Sequence, residues 1–115
     1  MICHVTIQTA KPEETVEFYQ WLLGLPVSAE LKTPGGRIVF LGDNETKFEI
    51  IESKYAESVN VKELSVGFLV DSLEDKIAML DSRNIAHSSV ISPAPGTRFL
   101  FFTDLNGCSI QLMEG

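Results

Sequence analysis

The 115-residue chain is written twice, about sixty residues apart. A shift of 61 places Val5 on Val66, Glu13 on Glu74, Ser28 on Ser89, Pro34 on Pro95 and Gly35 on Gly96. The same shift places Arg37 on Arg98, Phe40 on Phe101 and Asp43 on Asp104. One inserted residue then pairs Glu52 with Glu114, and the segment 47–51 with 109–113. Eight identities over about forty aligned positions is about three times the level ordinary composition produces. The matches fall on turn and strand positions. Two similar units in so short a chain are expected to pack around a pseudo-two-fold axis, and a groove at that axis is the first place to look for function.

Each unit reads as strand, helix and three strands. Residues 2–9 alternate, with Ile2, His4, Thr6 and Gln8 on one face and Cys3, Val5 and Ile7 on the other. Pro12 opens a helix at its first position, followed by Glu13 and Glu14 where the helix dipole favours negative charge. Val16, Tyr19, Leu22 and Leu23 form its apolar stripe, which Phe18 and Trp21 widen as core or subunit-contact residues. Gly24 and Pro26 end it. Strands are expected over 27–32, 37–41 and 47–52, with Pro34-Gly35 as the centre of a type II turn and Gly42-Asp43-Asn44 as a second turn.

The second unit repeats the order. A strand over 64–70 precedes a helix capped by Ser72 and Asp75, with Leu73, Ile77 and Leu80 inward and an end near Asn84. Strands over 87–92, 98–102 and 108–113 follow, joined by turns at Pro95-Gly96 and at 104–107. His87 reads as a surface residue without a matching partner. The chain is therefore expected to be a single domain, with modules 1–52 and 64–115 joined by a polar linker over 53–63. The architecture is α+β, two βαβββ modules with helices on one sheet face. A ferredoxin-like fold lacks the third strand in each half.

Composition narrows the classes of partner. Net charge is -7 and the nine basic residues form no run. That balance disfavours nucleic acid, which needs a positive footprint, and anionic membranes. It suits solubility, or a preference for cationic ligands. No segment resembles a signal peptide or membrane span, so a cytoplasmic location is expected. Cys3 and Cys108 are expected as reduced thiols.

Helices must cover one face of each sheet, and Val5, Ile7, Phe48, Ile50, Val66, Phe68, Ile110 and Leu112 belong beneath them. The opposite face then carries His4, Thr6, Gln8, Glu49 and Ile51 from the first unit. From the second it carries Ser65, Gly67, Leu69, Gln111 and Met113. The repeat pairs His4 with Ser65 and Glu49 with Gln111. These four polar side chains on an otherwise apolar face are expected to bind something or to bond internally.

The chain resembles the vicinal oxygen chelate superfamily, which includes glyoxalase I, extradiol dioxygenases, fosfomycin-resistance enzymes and bleomycin-resistance proteins. The resemblance spans essentially the whole chain. It rests on the opening Ile-Cys-His-Val-Thr-Ile, the helix end Phe-Tyr-Gln-Trp-Leu-Leu-Gly-Leu and the segment Ser-Val-Gly-Phe-Leu-Val-Asp-Ser-Leu-Glu-Asp. The closing Phe-Thr-Asp-Leu-Asn-Gly-Cys-Ser-Ile-Gln-Leu-Met-Glu completes it. It implies a glyoxalase-like, curved half-barrel sheet with helices on its convex face.

In metal-dependent members the ligands come from the first, fourth, fifth and eighth strands, which by motif are His4, Glu49, Ser65 and Gln111. His4 and Glu49 keep ligand chemistry for a divalent ion such as Zn, Ni, Mn or Fe. Ser65 stands where a His is common, and Gln111 where a Glu is common. A glyoxalase-type lyase or isomerase reaction needs a carboxylate base, and Glu49 is the only candidate catalytic group for that role. The departures weigh against an extradiol dioxygenase, whose iron site takes two His and one carboxylate.

The leading expectation is small-molecule binding in a degenerate or metal-free site, as in bleomycin-resistance proteins. The alternative is a divalent-metal-dependent lyase or isomerase. Thr6, Leu41, Ile51, Leu69, Leu100, Phe102 and Met113 are the expected ligand-facing residues, with Arg37 and Arg98 at strand starts. The resemblance also implies a homodimer in which the first unit of one chain faces the second unit of the other.

Overall fold

A computed structural model of the chain describes residues 1–43, 46–61 and 63–115. Asn44 of the expected second turn and Lys62 of the expected linker lie outside the described residues. The chain divides into two compact units, Met1–Ser58 and Val59–Gly115. Each is built as βαβββ, giving an α+β fold with two four-stranded mixed sheets. The residues expected to link the modules split between the units: the Ser53 amide donates to Thr9 O and the Val59 amide to Asn106 O.

The first unit contains β1 (His4–Thr9), α1 (Pro12–Leu23), β2 (Val27–Thr33), β3 (Gly36–Leu41) and β4 (Lys47–Glu52). Its sheet runs β1-β4-β3-β2, with β1 parallel to β4 and the other neighbours antiparallel. Pro12 occupies the first turn of α1 with Glu13 and Glu14, and the amide of Gly24 closes the last turn on Gln20 O at 2.9 Å. Val16, Phe18, Tyr19 and Leu22 are buried, as their spacing predicts, while Leu23 and Trp21 are half-buried. Tyr19 meets Phe48 of β4 edge to face, with centroids 4.9 Å apart. Full burial of a side chain such as Leu22 stabilises by about 1.5–3 kcal/mol.

The second unit contains β5 (Ser65–Val70), α2 (Leu73–Ser82), β6 (Ile91–Ala94), β7 (Thr97–Thr103) and β8 (Ser109–Glu114), with sheet order β5-β8-β7-β6 and β5 parallel to β8. Ser72 caps α2, its hydroxyl accepting from the Asp75 amide at 3.2 Å. Leu73 and Leu80 are buried and Ile77 half-buried. Asp104 Oδ1 accepts from the amides of Asn106 and Cys108, both at 2.8 Å, and so shapes the turn before β8. Burial there, and the Asp104 charge, push the Cys108 thiol up to about 11, leaving it protonated at neutral pH.

Three expectations are corrected. The positive φ of the first hairpin falls on Gly36 (131°), not Gly35, so Pro34-Gly35 is not a type II turn, whereas Gly96 (79°) does carry it in the second hairpin. Gly36 is needed for a second reason: a Cβ there would lie 2.7 Å from Glu52 Oε1. The sixth strand begins at Ile91, with only an isolated bridge from His87 to Phe102 before it. Finally, His87 is partnered. Its Nδ1 lies 2.8 Å from Ser88 O and its Nε2 2.9 Å from Asp81 Oδ1. Both partners accept hydrogen bonds, so the imidazolium satisfies both. The Ser88 carbonyl first, and Asp81 second, raise the pKa of the ring above its usual value.

Adjacent residues on β8 provide a test of strand phase. Leu112→Ala is expected to cost about 2–5 kcal/mol by urea unfolding, and Met113→Ala, on the other face and only half-buried, well under half of that. For His87 the folded pKa is raised, so its contribution is fully present below about 6.5 and is lost as pH rises through the folded value. The urea midpoint should therefore fall between pH 6 and 8, and that slope should flatten in His87→Gln.

Candidate functional site: the open sheet faces

Alternation along β4 and β8 sorts the side chains. Phe48 and Ile50, like Ile110 and Leu112, are buried on the helix side. Glu49 and Ile51, like Gln111 and Met113, project to the other, open face. This is the phase the sequence predicts for these two strands and for their parallel neighbours β1 and β5.

In the first unit, register places Glu49 between Thr6 on β1 and Phe40 on β3. The Glu49 residue is only 9% exposed. Its Oε1 accepts a short hydrogen bond from Thr6 Oγ1 and lies 3.4 Å from His4 Nε2. His4 also approaches Phe40 edge to face at 5.8 Å, and its Nδ1 lies 3.4 Å from Cys3 Sγ. The His4 side chain is far more open than that of Glu49. A nearly buried carboxylate, a hydroxyl and an accessible imidazole thus stand beside Phe40, Ile38 and Ile51.

In the second unit the equivalent row is Gly67, Gln111 and Phe101. The missing side chain at 67 leaves room for Gln111, whose Oε1 would lie 3.2 Å from a Cβ there. Ser65 stands two residues before Gly67 and is exposed. Phe99 and Phe101 meet edge to face at 5.7 Å, and Leu69 is 76% exposed. This face is neutral and aromatic where that of the first unit is charged.

The structure therefore brings His4, Thr6 and Glu49 together in one unit, and places Ser65, Gln111, Leu69 and Met113 on the open face of the other. It moves five expected ligand-facing residues elsewhere. Leu100 and Phe102 are buried on the helix side because β7 pairs them with Leu112 and Ile110, and Leu41 is buried because β3 pairs it with Phe48. The open-face aromatic residues are instead Phe40, Phe99 and Phe101. Arg98 follows the same phase and bonds Glu74 at 2.7 Å and Glu114 at 2.8 Å, and these pairs hold its charge more firmly than usual.

Arg37, at the equivalent position, is also removed from the open face. It pairs with Glu30 at 2.9 Å and Glu13 at 3.7 Å, and its amide donates to Glu52 Oε1. Together with Glu13, Val16, Glu17, Gln20 and Trp21 it lines an open depression of about 480 Å3 beside α1, away from the His4–Glu49 pair.

Among the described residues no group of three or more His, Cys, Asp or Glu is placed to hold a metal ion. Of the four expected ligands the first unit supplies His4 and Glu49, one short of the three protein ligands typical of a catalytic zinc site. Within the second, a serine hydroxyl and a neutral carboxamide are weak donors. Among the described residues, the expected ligands of neither unit by themselves fit a resident divalent ion. Among the described residues, no helix is long and apolar enough to cross a membrane.

Two βαβββ units, each with its first strand parallel to its fourth, define a protein of glyoxalase-like architecture. Residues 1–112 match the Glyoxalase/Bleomycin resistance protein/Dioxygenase superfamily, and the chain belongs to it. Solved structures of the same fold include a glyoxalase family protein from Enterococcus faecalis, 24% identical with a TM-score of 0.77, covering 99% of this chain and 97% of that one. TnmS3, an antibiotic binding protein from Streptomyces sp. CB03234, is 16% identical with a TM-score of 0.75, covering 99% and 94%. A lactoylglutathione lyase from Agrobacterium tumefaciens is 15% identical with a TM-score of 0.69, covering 100% and 93%. At these identities the likeness is one of fold. No protein of curated function matches the sequence significantly.

The Thr6–Glu49 bond is directly testable. Thr6→Val should cost about 1–3 kcal/mol at neutral pH, because it strips a donor from a nearly buried carboxylate. In a double-mutant cycle with Glu49→Gln, the two losses should fall short of additive by about 0.5 kcal/mol or more.

Proposed function

We propose that the chain binds a small molecule against its open sheet faces, with a degenerate metal site that is not needed for binding. The observation that carries this reading is the Glu49 residue, 9% exposed beside Phe40 and Ile51, with its carboxylate held by Thr6 next to His4. A carboxylate so placed rewards a ligand group that donates hydrogen bonds or carries positive charge, because the surrounding apolar side chains screen it poorly. Phe40, Ile38 and Ile51 supply apolar contact beside it, and the second unit carries its own apolar face of Phe99, Phe101, Leu69 and Met113. The net charge of -7 acts in the same direction on cationic compounds. That a protein of this fold is an antibiotic binding protein is consistent with such a role.

The second reading is a divalent-metal-dependent lyase or isomerase, favoured by the survival of His4 and Glu49 as neighbours 3.4 Å apart. In it Glu49 holds the metal or serves as the base. A homodimer and a cytoplasmic location complete the proposal. The exposed apolar side chains Leu31, Leu64 and Leu69 support self-association.

The test uses a panel of aromatic amines set beside matching neutral and anionic aromatics, read by thermal shift and calorimetry. The amines should raise the melting temperature most, and Glu49→Gln should weaken their binding by about tenfold or more. Metal-independent binding supports the binder. Stoichiometric uptake of Zn, Ni, Mn or Fe that is lost in His4→Ala, with no response to the panel, would replace it with the enzyme.

A further inference from the structure

The two sheets end on differently protected strands. In the second unit the outer strand β6 has four residues, contains Pro93 and pairs with β7 at only two positions either side of an irregularity. Proline removes a ladder donor, so this edge offers little to an incoming strand. In the first unit the outer strand β2 has seven residues, exposed throughout, and pairs with β3 without interruption from Ala29 to Thr33. Its irregularity is confined to the start, between Val27 and Ala29. Leu31 is 52% exposed at its centre.

The residues on this edge are self-complementary. The loop Pro34-Gly35 closes the hairpin with Thr33 opposite Gly36. Counting back from that pair, the amides and carbonyls of Lys32 and Glu30 turn away from β3, while those of Leu31 turn towards it. An antiparallel copy of β2 related by a two-fold axis at Leu31 then places Glu30 opposite the partner's Lys32, and Lys32 opposite the partner's Glu30. Both are hydrogen-bonded pairs. On the other face the two Leu31 side chains meet. A lysine on an edge strand normally deters pairing. Here that register sets it against a carboxylate twice.

We infer that two copies of this chain associate through their β2 edges, joining the sheets of their first units into one continuous eight-stranded sheet. The inference rests on the proposed self-association and assigns it a contact. The contact joins first unit to first unit, unlike the first-to-second arrangement the family resemblance implies. It is an isologous interface of the kind closed dimers use, and strand addition at an open edge supplies main-chain hydrogen bonds as well as side-chain contact.

Charge exchange on the full chain tests it, read by size exclusion with light scattering at micromolar concentration. The native chain should run as a dimer. Lys32→Glu alone, or Glu30→Lys alone, puts like charges opposite each other twice and should weaken self-association at least about tenfold. Mixing the two variants restores both opposite pairs and should recover a heterodimer. Thermal melts establish that each variant is folded; Glu30→Lys also gives up the part-exposed pair with Arg37, whereas Lys32→Glu leaves that pair in place and reads the β2 contact alone. A native dimer that neither variant weakens overturns the β2 contact while leaving self-association standing. A native monomer overturns both. Neither result bears on the amine panel, which measures ligand binding separately.

Discussion

Side-chain alternation along β4 and β8 is the constraint on which the rest depends. Each strand lies second in its sheet, parallel to the strand that opens its unit and antiparallel to the one before it in sequence. Its even-numbered residues, Phe48 and Ile50 or Ile110 and Leu112, are buried on the side its helix covers. With that face committed to the core, register fixes every neighbour. A slip of β4 by one residue would expose Phe48 and Ile50 and turn Glu49 into the core beneath α1. The same pairing that builds the core therefore holds Glu49 between Thr6 and Phe40.

The internal repeat turns out to mark two kinds of position. The identities Glu13/Glu74, Arg37/Arg98 and Glu52/Glu114 belong to one charged cluster made twice, at the junction of helix start and sheet end. The copies differ for a covalent reason. In the second unit Glu114 accepts from the Leu73 amide at the start of α2 as well as from Arg98. In the first, the equivalent residue is Pro12, which has no amide hydrogen, and Glu52 accepts from the Arg37 amide instead. Glu52 so placed crowds a side chain at Gly36, where the positive φ already favours glycine. These arginines hold elements together and do not face a ligand.

Much of the fold was legible because its signals are local. Pro12, Gly24 and Ser72 mark helix ends by their own chemistry, and the four parallel strands alternate clearly enough to assign their faces. The antiparallel strands β3 and β7 were harder. Ile38-Val39-Phe40-Leu41 and Phe99-Leu100-Phe101-Phe102 are apolar at every position, so period-two patterning is silent and only pairing with β4 and β8 sets the phase. That is why Leu41, Leu100 and Phe102 were expected on the wrong face. A signal was present in the Arg37/Arg98 repeat: an arginine bound to helix carboxylates fixes the residues at 39 and 41, or 100 and 102, on the helix side. His87 is silent for another reason: Ser88 follows it directly, and Asp81 reaches it across a turn that no periodicity describes.

Duplication supplies two copies of every position, and divergence between copies shows where the demands on them differ. Positions 40 and 101 both keep phenylalanine beside the central residue of the open face. Where the first unit has Thr6 and Glu49 the second has Gly67 and Gln111, and the two differences compensate. A glutamate next to Gly67 would lack the hydroxyl that satisfies Glu49, while Thr6 next to a glutamine would give up a charge-assisted bond for a neutral one. Each pair is thus consistent within its own sheet, and the change of charge was made without leaving a polar group unsatisfied. A carboxylate in this row is therefore not a requirement of the βαβββ fold, since Gln111 fills the equivalent place in the second unit.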